Sequence, residues 1–294
     1  MGGRRGLRWA GACCLLAVFG SATAGPAGAT ADRGRAGSST CAGTQATPGV
    51  LSGTYASGAT VTGYCEVDGG ATTVDGTLTV AAGATLVASY AKNDVAGSGT
   101  SSLTVTGNLK VGSGATLILG CEGAHYACTD NSGGTLNGSD HVGGNLVAHH
   151  ALGVVVHLSS IGGSVTQVSG GGGVTCVKPA SGPFATTGVY SDYEDDTLGG
   201  TLGGNLKVTG LRSCWIGMLR NHVPGNLVDS HNTFYDPDAN ETLANTVGKN
   251  ISCTGNSPAV QYGDSGASPN HVTGNASGEC AFTLASGTPV SVKA

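Results

Sequence analysis

An aliphatic residue, two mostly small residues, an asparagine and a second aliphatic residue recur along this chain. The shorter intervals between copies cluster near 20 residues, and glycine supplies 53 of the 294 residues while aromatics make up only 5%. These three observations predict an all-β fold: a single-stranded, right-handed parallel β-helix with coils of about 20 residues and a ladder of stacked asparagines.

The repeat centres on Asn108, Asn145, Asn205, Asn226 and Asn250, each followed by Leu or Ile, with Ser164 in the asparagine position of one copy and Thr77 in a degenerate early one. Successive centres from Thr77 to Asn250 lie 31, 37, 19, 41, 21 and 24 residues apart. The short intervals read as single coils and the long ones as coils carrying loops. Such coils are too long for the left-handed form built from strict hexapeptides. Each coil lays short strands on the one below at ~4.8 Å, and small aliphatic side chains fill the inside. Glycine or lysine precedes each of these asparagines and none is followed by glycine, which argues against the Asn-Gly hairpins of a sandwich. Stacked corners place the five asparagines in one column, where each amide bonds the next in a tight, buried corner.

Arg4, Arg5 and Arg8 precede an apolar run from Trp9 to Phe19 and then small residues, the pattern of a signal peptide over 1–31 with cleavage after Ala24 or Ala31. The expected organisation continues with an N-terminal segment and cap over 32–64, coils over 65–252, and a disulfide-closed cap and tail over 253–294. Cleavage after Ala31 removes three arginines and no acid, leaving 10 basic and 18 acidic residues. That acidic balance excludes a basic nucleic-acid binder, and no later stretch is long and apolar enough to span a bilayer. A secreted, extracellular monomer is expected.

Eight cysteines follow the leader: Cys41, Cys65, Cys121, Cys128, Cys176, Cys214, Cys253 and Cys280. An even number in an exported chain implies four disulfides, although eight cysteines permit about 105 connectivities. Neighbour pairing, 41–65, 121–128, 176–214 and 253–280, is the simplest arrangement. Each loop would contribute roughly 2.5–4 kcal/mol through chain entropy.

The tail Asn250–Pro258, Gly263-Asp264-Ser265-Gly266, Pro269-Asn270 and Gly278-Glu279-Cys280 together with the repeats resembles a family of secreted actinobacterial proteins built on Gly-Asn-Leu/Val repeats. The resemblance spans roughly residues 100–282 and implies a parallel β-helix similar to the pectate-lyase architecture. It carries no activity onto these residues. Ser164 and an irregular coil around Phe184–Asp196 depart from it.

Several stretches carry residues suited to chemistry. Asp192, Glu194, Asp195 and Asp196 form the densest acidic run, and β-helix lyases and hydrolases use such acids to bind calcium or transfer protons. A lyase also needs a cation beside them; Arg212, Arg220 and Lys207 are the nearest, and Arg212 is the catalytic candidate. Asp236, Asp238 and Asn240 resemble the start of a calcium loop but lack the glycine and terminal acid of an EF-hand. They read as an exposed Asx-rich turn, in which Asn240 would be dispensable. The Gly263–Gly266 tetrapeptide matches a serine-protease nucleophile, yet no Ala-Ala-His-Cys element stands upstream, so it reads as a turn. His141 shares a column with Thr104, Ser160, Thr201 and Thr246, an exposed polar row, while His149, His150, His222 and His231 are too scattered to chelate together.

With no assembled acid, base and cation, the expected function is a non-catalytic scaffold, structural or binding extracellular polysaccharide or the cell surface. A polysaccharide lyase or hydrolase using the acidic run is the alternative. No cofactor is expected, calcium being the one cation the acidic stretches suggest.

Overall fold

The computed structural model describes residues 39–123, 128, 136–200, 203–261 and 268–281. The segment 1–31 expected as a leader, the tetrapeptide Gly263–Gly266 expected as a turn and the final residues lie outside them. The described residues contain β-strands and no α-helix, and so no helix long and apolar enough to cross a membrane. Ten-, eight- and nine-stranded parallel sheets run along the molecule, and successive strands visit the three in turn before returning one step further on. Strands begin at Ser39–Cys41 and end at Ala276–Gly278, so the segments expected as caps already carry sheet strands.

Alternation decides what lies inside. In the ten-stranded sheet Leu78, Leu109, Leu146, Val165, Leu206, Leu227 and Ile251 stack in register, all buried. Lys110, Val147, Thr166 and Lys207 stack on the opposite, outward side. Truncating one of these stacked aliphatics to alanine typically costs ~2–5 kcal/mol. The interior also holds polar residues: Tyr193 donates to Gln167 at 2.9 Å, and Gln167 donates to Ser191 at 2.9 Å.

Where a strand ends in a corner, the backbone N–H loses its sheet partner, and a buried N–H must find another acceptor. The repeat asparagines supply one. Asn108 Oδ1 accepts from the backbone N–H of Asn145 at 2.8 Å, and Asn145 Oδ1 from Ser164 N–H at 2.8 Å. Ser164 Oγ accepts from Asn205 at 3.0 Å, which is why serine serves in this copy. Asn205 accepts from Asn226 at 2.8 Å, Asn226 from Asn250 at 3.2 Å, and Asn250 from Asn275 at 2.9 Å. Amide-to-amide bonds accompany the backbone bonds at Asn145, Asn226 and Asn250. The expected ladder therefore exists, but it runs along a surface corner rather than in a buried one: Asn145 and Asn250 are exposed, and Asn108, Asn205 and Asn226 half-buried.

The glycine before the asparagine has a packing reason. A Cβ on Gly163 would lie 2.4 Å from Asn145 Oδ1, and one on Gly144 2.5 Å from Asn108 Oδ1. The ladder oxygen below occupies the place of the missing side chain.

A second ladder, not foreseen from the sequence, is buried. Ser159 N–H donates to Asp196 Oδ1 at 2.9 Å, Asp196 N–H to Asn221 at 3.0 Å, Asn221 N–H to Asn245 at 2.9 Å and Asn245 N–H to Asn270 at 3.0 Å. Asn221, Asn245 and Asn270 are 1%, 0% and 4% exposed. Their amide nitrogens also donate to the carbonyls of Tyr193, Met218 and Thr242, each at 2.8 Å. A third, shorter ladder at another corner joins Leu211 N–H to Asn232, Asn232 N–H to Asn256 and Asn256 N–H to Glu279.

All four disulfides form between sequence neighbours, Cys41–Cys65, Cys121–Cys128, Cys176–Cys214 and Cys253–Cys280, and they point to an oxidising compartment. Between the strands Val165–Val168 and Ser191–Glu194 the chain leaves the sheets as a flap over 170–190; of the irregular coil expected around Phe184–Asp196, residues 184–190 belong to this flap, whereas Ser191–Glu194 is a regular strand. The Cys176–Cys214 bond pins it, and Gly182 N–H donates to Gln45 Oε1 at 2.8 Å.

Two outcomes follow for stability, both read by chemical denaturation. Asn245→Ala should lose ~1–3 kcal/mol because it strands buried donors, whereas Asn226→Ala, where water can substitute, should lose less than about 1 kcal/mol. Gly163→Ala should cost ~1–3 kcal/mol by overpacking, and Asn145→Ala in the same chain should recover part of that loss.

Candidate functional site

The outer face of the eight-stranded sheet carries the site. Its strands run Gly153–His157, Ser191–Glu194, Ile216–Leu219 and Asn240–Leu243, with Val155 opposite Asp192 and His157 opposite Glu194. Val156 and Tyr193 point inward, so Val155, His157, Asp192 and Glu194 stand on the outside of the sheet. They are nevertheless covered. Phe184 and Val189 from the flap pack on Val155, and Gly153 lacks a side chain where the Phe184 ring sits, 2.4 Å from the Cβ it would have. Phe184 meets Tyr190 edge-on at 5.2 Å, and Tyr190 stacks on Trp215 at 4.4 Å.

Beneath this cover His157 Nε2 lies 3.0 Å from Asp192 Oδ2 and 4.0 Å from Glu194 Oε2. His157, Asp192 and Glu194 are 2%, 0% and 3% exposed. At the adjoining corner Asp195 and Arg220 both adopt left-handed backbone, φ +54° each. Arg220 donates from Nε to Asp195 Oδ2 at 2.8 Å, and from Nη2 to Glu122 Oε2 at 3.2 Å and to Glu194 Oε1. Burial, and then repulsion from Asp192, push the Glu194 carboxyl up to about 7 against the opposing charges of Arg220 and His157.

The acidic run is thus divided by the fold. Asp192 and Glu194 face the covered cluster, Asp195 sits at its partly exposed edge, and Asp196 turns away into the buried ladder. Burial is the largest influence on Asp196 and lifts it well above the usual carboxylate range. The cation beside the acids is Arg220; Arg212 is exposed on the strand Arg212–Ser213 and makes no ion pair among the described residues. The calcium-loop candidates do not converge either. Asp236 and Asp238 are exposed and close a small turn, Asp238 N–H to Asp236 Oδ1 at 3.1 Å. Asn240, expected in that exposed turn, is fully buried in the next strand. It lies beside Asp229, a buried carboxyl pushed up to about 7 by burial and held back by the amides of Asn232 and Asn240.

His141, Ser160, Thr197, His222, Thr246 and His271 form the expected exposed row, with Thr197 in the place expected for Thr201, which lies outside the described residues. His149, His150 and His231 are exposed as well. His157, Glu122, Tyr190 and Trp215 were not legible as partners of the acidic run. The flap lies between His157 and Glu194 in sequence and hides that they are neighbours.

An open groove lies beside the covered cluster, between the flap and the outer face of the earlier strands. It has a volume of about 380 Å³, with Tyr64, Thr85 and Thr116 on the sheet side, Gln45 at one end and Ser181 and Phe184 on the flap. No charged residue lines it.

No family model, curated protein or solved structure matches the chain. The geometry of the site itself is therefore what bears on function.

Two buried carboxyls away from the acidic run set a pH dependence. Asp140, lifted to about 7 by burial against the N–H groups of Leu103 and Gly120, joins Asp229. Each binds its proton more tightly in the fold than in the unfolded chain, where carboxyls titrate near ~4. Their contribution is whole below about pH 4 and is lost as pH rises through about 7. Thermal unfolding should show Tm falling by roughly 10 °C or more between pH 5 and pH 8. Asp229→Asn should reduce that slope and raise Tm at pH 8.

Proposed function

We propose that this protein is a secreted, non-catalytic scaffold that binds a neutral extracellular glycan in the groove beneath its flap. The scaffold is read as a right-handed parallel β-helix with coils of about 20 residues, related to the secreted Gly-Asn-Leu/Val repeat proteins. The observation that carries the reading is the contrast between the two features of the outer face. Asp192 and Glu194 are covered and engage His157 and Arg220, whereas the open groove is uncharged and offers a tyrosine ring, threonine and serine hydroxyls and a glutamine amide. Such a lining suits a polyhydroxylated ligand: the ring packs against the apolar face of a sugar, and the hydroxyls exchange hydrogen bonds. An uncharged lining gives a polyuronide nothing to pair with.

A second reading, a polysaccharide lyase or hydrolase, draws support from Arg220 beside Glu194 and Asp195, a cation next to an acid lifted to about 7. One experiment separates the two. The protein is incubated with neutral glycans and polyuronides while binding is followed by calorimetry and products by reducing-end assay. The scaffold reading expects binding to a neutral glycan, weakened about tenfold or more by Tyr64→Ala, without product. Depolymerisation lost in Glu194→Gln would overturn it in favour of the enzyme.

A further inference from the structure

We infer that His157, Asp192 and Glu194 form a structural site for a divalent cation of the zinc class, closed beneath the flap and joining two adjacent strands of the eight-stranded sheet. This cluster stands apart from the groove assigned to glycan, and neither depends on the other.

Geometry comes first. The ligand-capable atoms of the three side chains all lie within 4.8 Å of one another, with His157 Nε2 at 3.0 Å from Asp192 Oδ2 and 4.0 Å from Glu194 Oε2. The 3.0 and 4.0 Å separations fall within the ~4.4 Å that two donors sharing one ion at roughly 2.0–2.2 Å can span. His157 and Glu194 are direct cross-strand partners, and Asp192 lies two residues from Glu194 on the same face, so regular sheet register brings the set together.

An independent observation is the second oxygen of Asp192. Its Oδ2 meets the imidazole, but its Oδ1 is buried and has no hydrogen-bond donor. The neighbouring strand presents Gly217 there, where a Cβ would fall 2.2 Å from Oδ1, so the sheet makes room for the carboxylate without supplying a donor. A buried carboxylate oxygen left this way is costly unless a charge satisfies it.

An imidazole nitrogen between two carboxylates suits zinc better than calcium or magnesium, which take oxygen ligands. The burial of all three side chains fits a structural ion rather than one exchanging substrate.

The test uses the oxidised, full-length protein, treated with chelator and then equilibrated separately with zinc, calcium or magnesium. Bound metal is measured by mass spectrometry after gel filtration, and Tm by differential scanning fluorimetry. The expected result is about one zinc retained per chain, a Tm rise of about 5 °C in zinc, and no such rise in calcium or magnesium. Asp192→Asn, which keeps the shape of the side chain, should abolish both retention and the zinc-dependent rise. The surface double variant H149Q/H150Q should abolish neither. Absence of retained zinc in the native protein overturns the site whatever the variants do. Equal retention by Asp192→Asn also overturns it, because the ion then sits on surface histidines.

Discussion

A chain that turns a corner in every coil must find an acceptor for each backbone N–H that the corner removes from a sheet. In this protein side-chain oxygens of the neighbouring coil supply it, through three ladders of asparagine among the described residues, with serine, aspartate and glutamate at single positions. The rest of the structure adapts to that arrangement. The Asn108–Asn275 ladder fixes the register of the ten-stranded sheet, and glycine precedes most of its members because the amide oxygen below fills the side-chain position. The Asn221–Asn245–Asn270 ladder does the same work where water is absent, so each amide also bonds a backbone carbonyl. Hydrogen bonding of this kind is worth little per bond when water can replace it and considerably more when it cannot.

Much of this was legible in the sequence, for a physical reason. The surface ladder repeats within an interval that a reader can count, and cysteines adjacent in sequence are adjacent in a structure whose contacts climb one step at a time. The buried ladder was equally countable: Asp140, Ser159, Asn221, Asn245 and Asn270 each stand five residues before a repeat position. It was missed because Asp196 occupies its register nine residues before Asn205, the intervening chain being lengthened near Gly199–Gly204. Asn240 was misplaced for a related reason. Its neighbours Asp236 and Asp238 have turn chemistry, and nothing local marks where the turn ends and the strand begins.

The cluster on the eight-stranded sheet shows the limit of local reading more sharply. The acidic run was visible, but its division was not: strand alternation sends Asp192 and Glu194 outward, a left-handed corner holds Asp195 beside Arg220, and the ladder claims Asp196. His157 reaches Asp192 from 35 residues away. The flap that creates this separation also covers the cluster and walls the groove. A single insertion thus hides the charged groups, shapes the uncharged surface and is pinned by its own disulfide, Cys176–Cys214.

The central claim, that side chains of one coil take over the lost backbone partners of the next, is tested most directly by amide hydrogen exchange resolved to single residues. The N–H groups of Asn221, Asn232 and Asn245 lie outside any strand, yet the account predicts that they exchange as slowly as the amides of Leu146 and Leu227 in the core strands. The Asn145 and Asn250 amides, at the exposed corner, should exchange faster than these but slower than an unbonded turn amide. Rapid exchange at Asn221 and Asn245, comparable to that of the exposed turn at Asp236–Asp238, would contradict the account, because the corners would then be held by something other than the ladders.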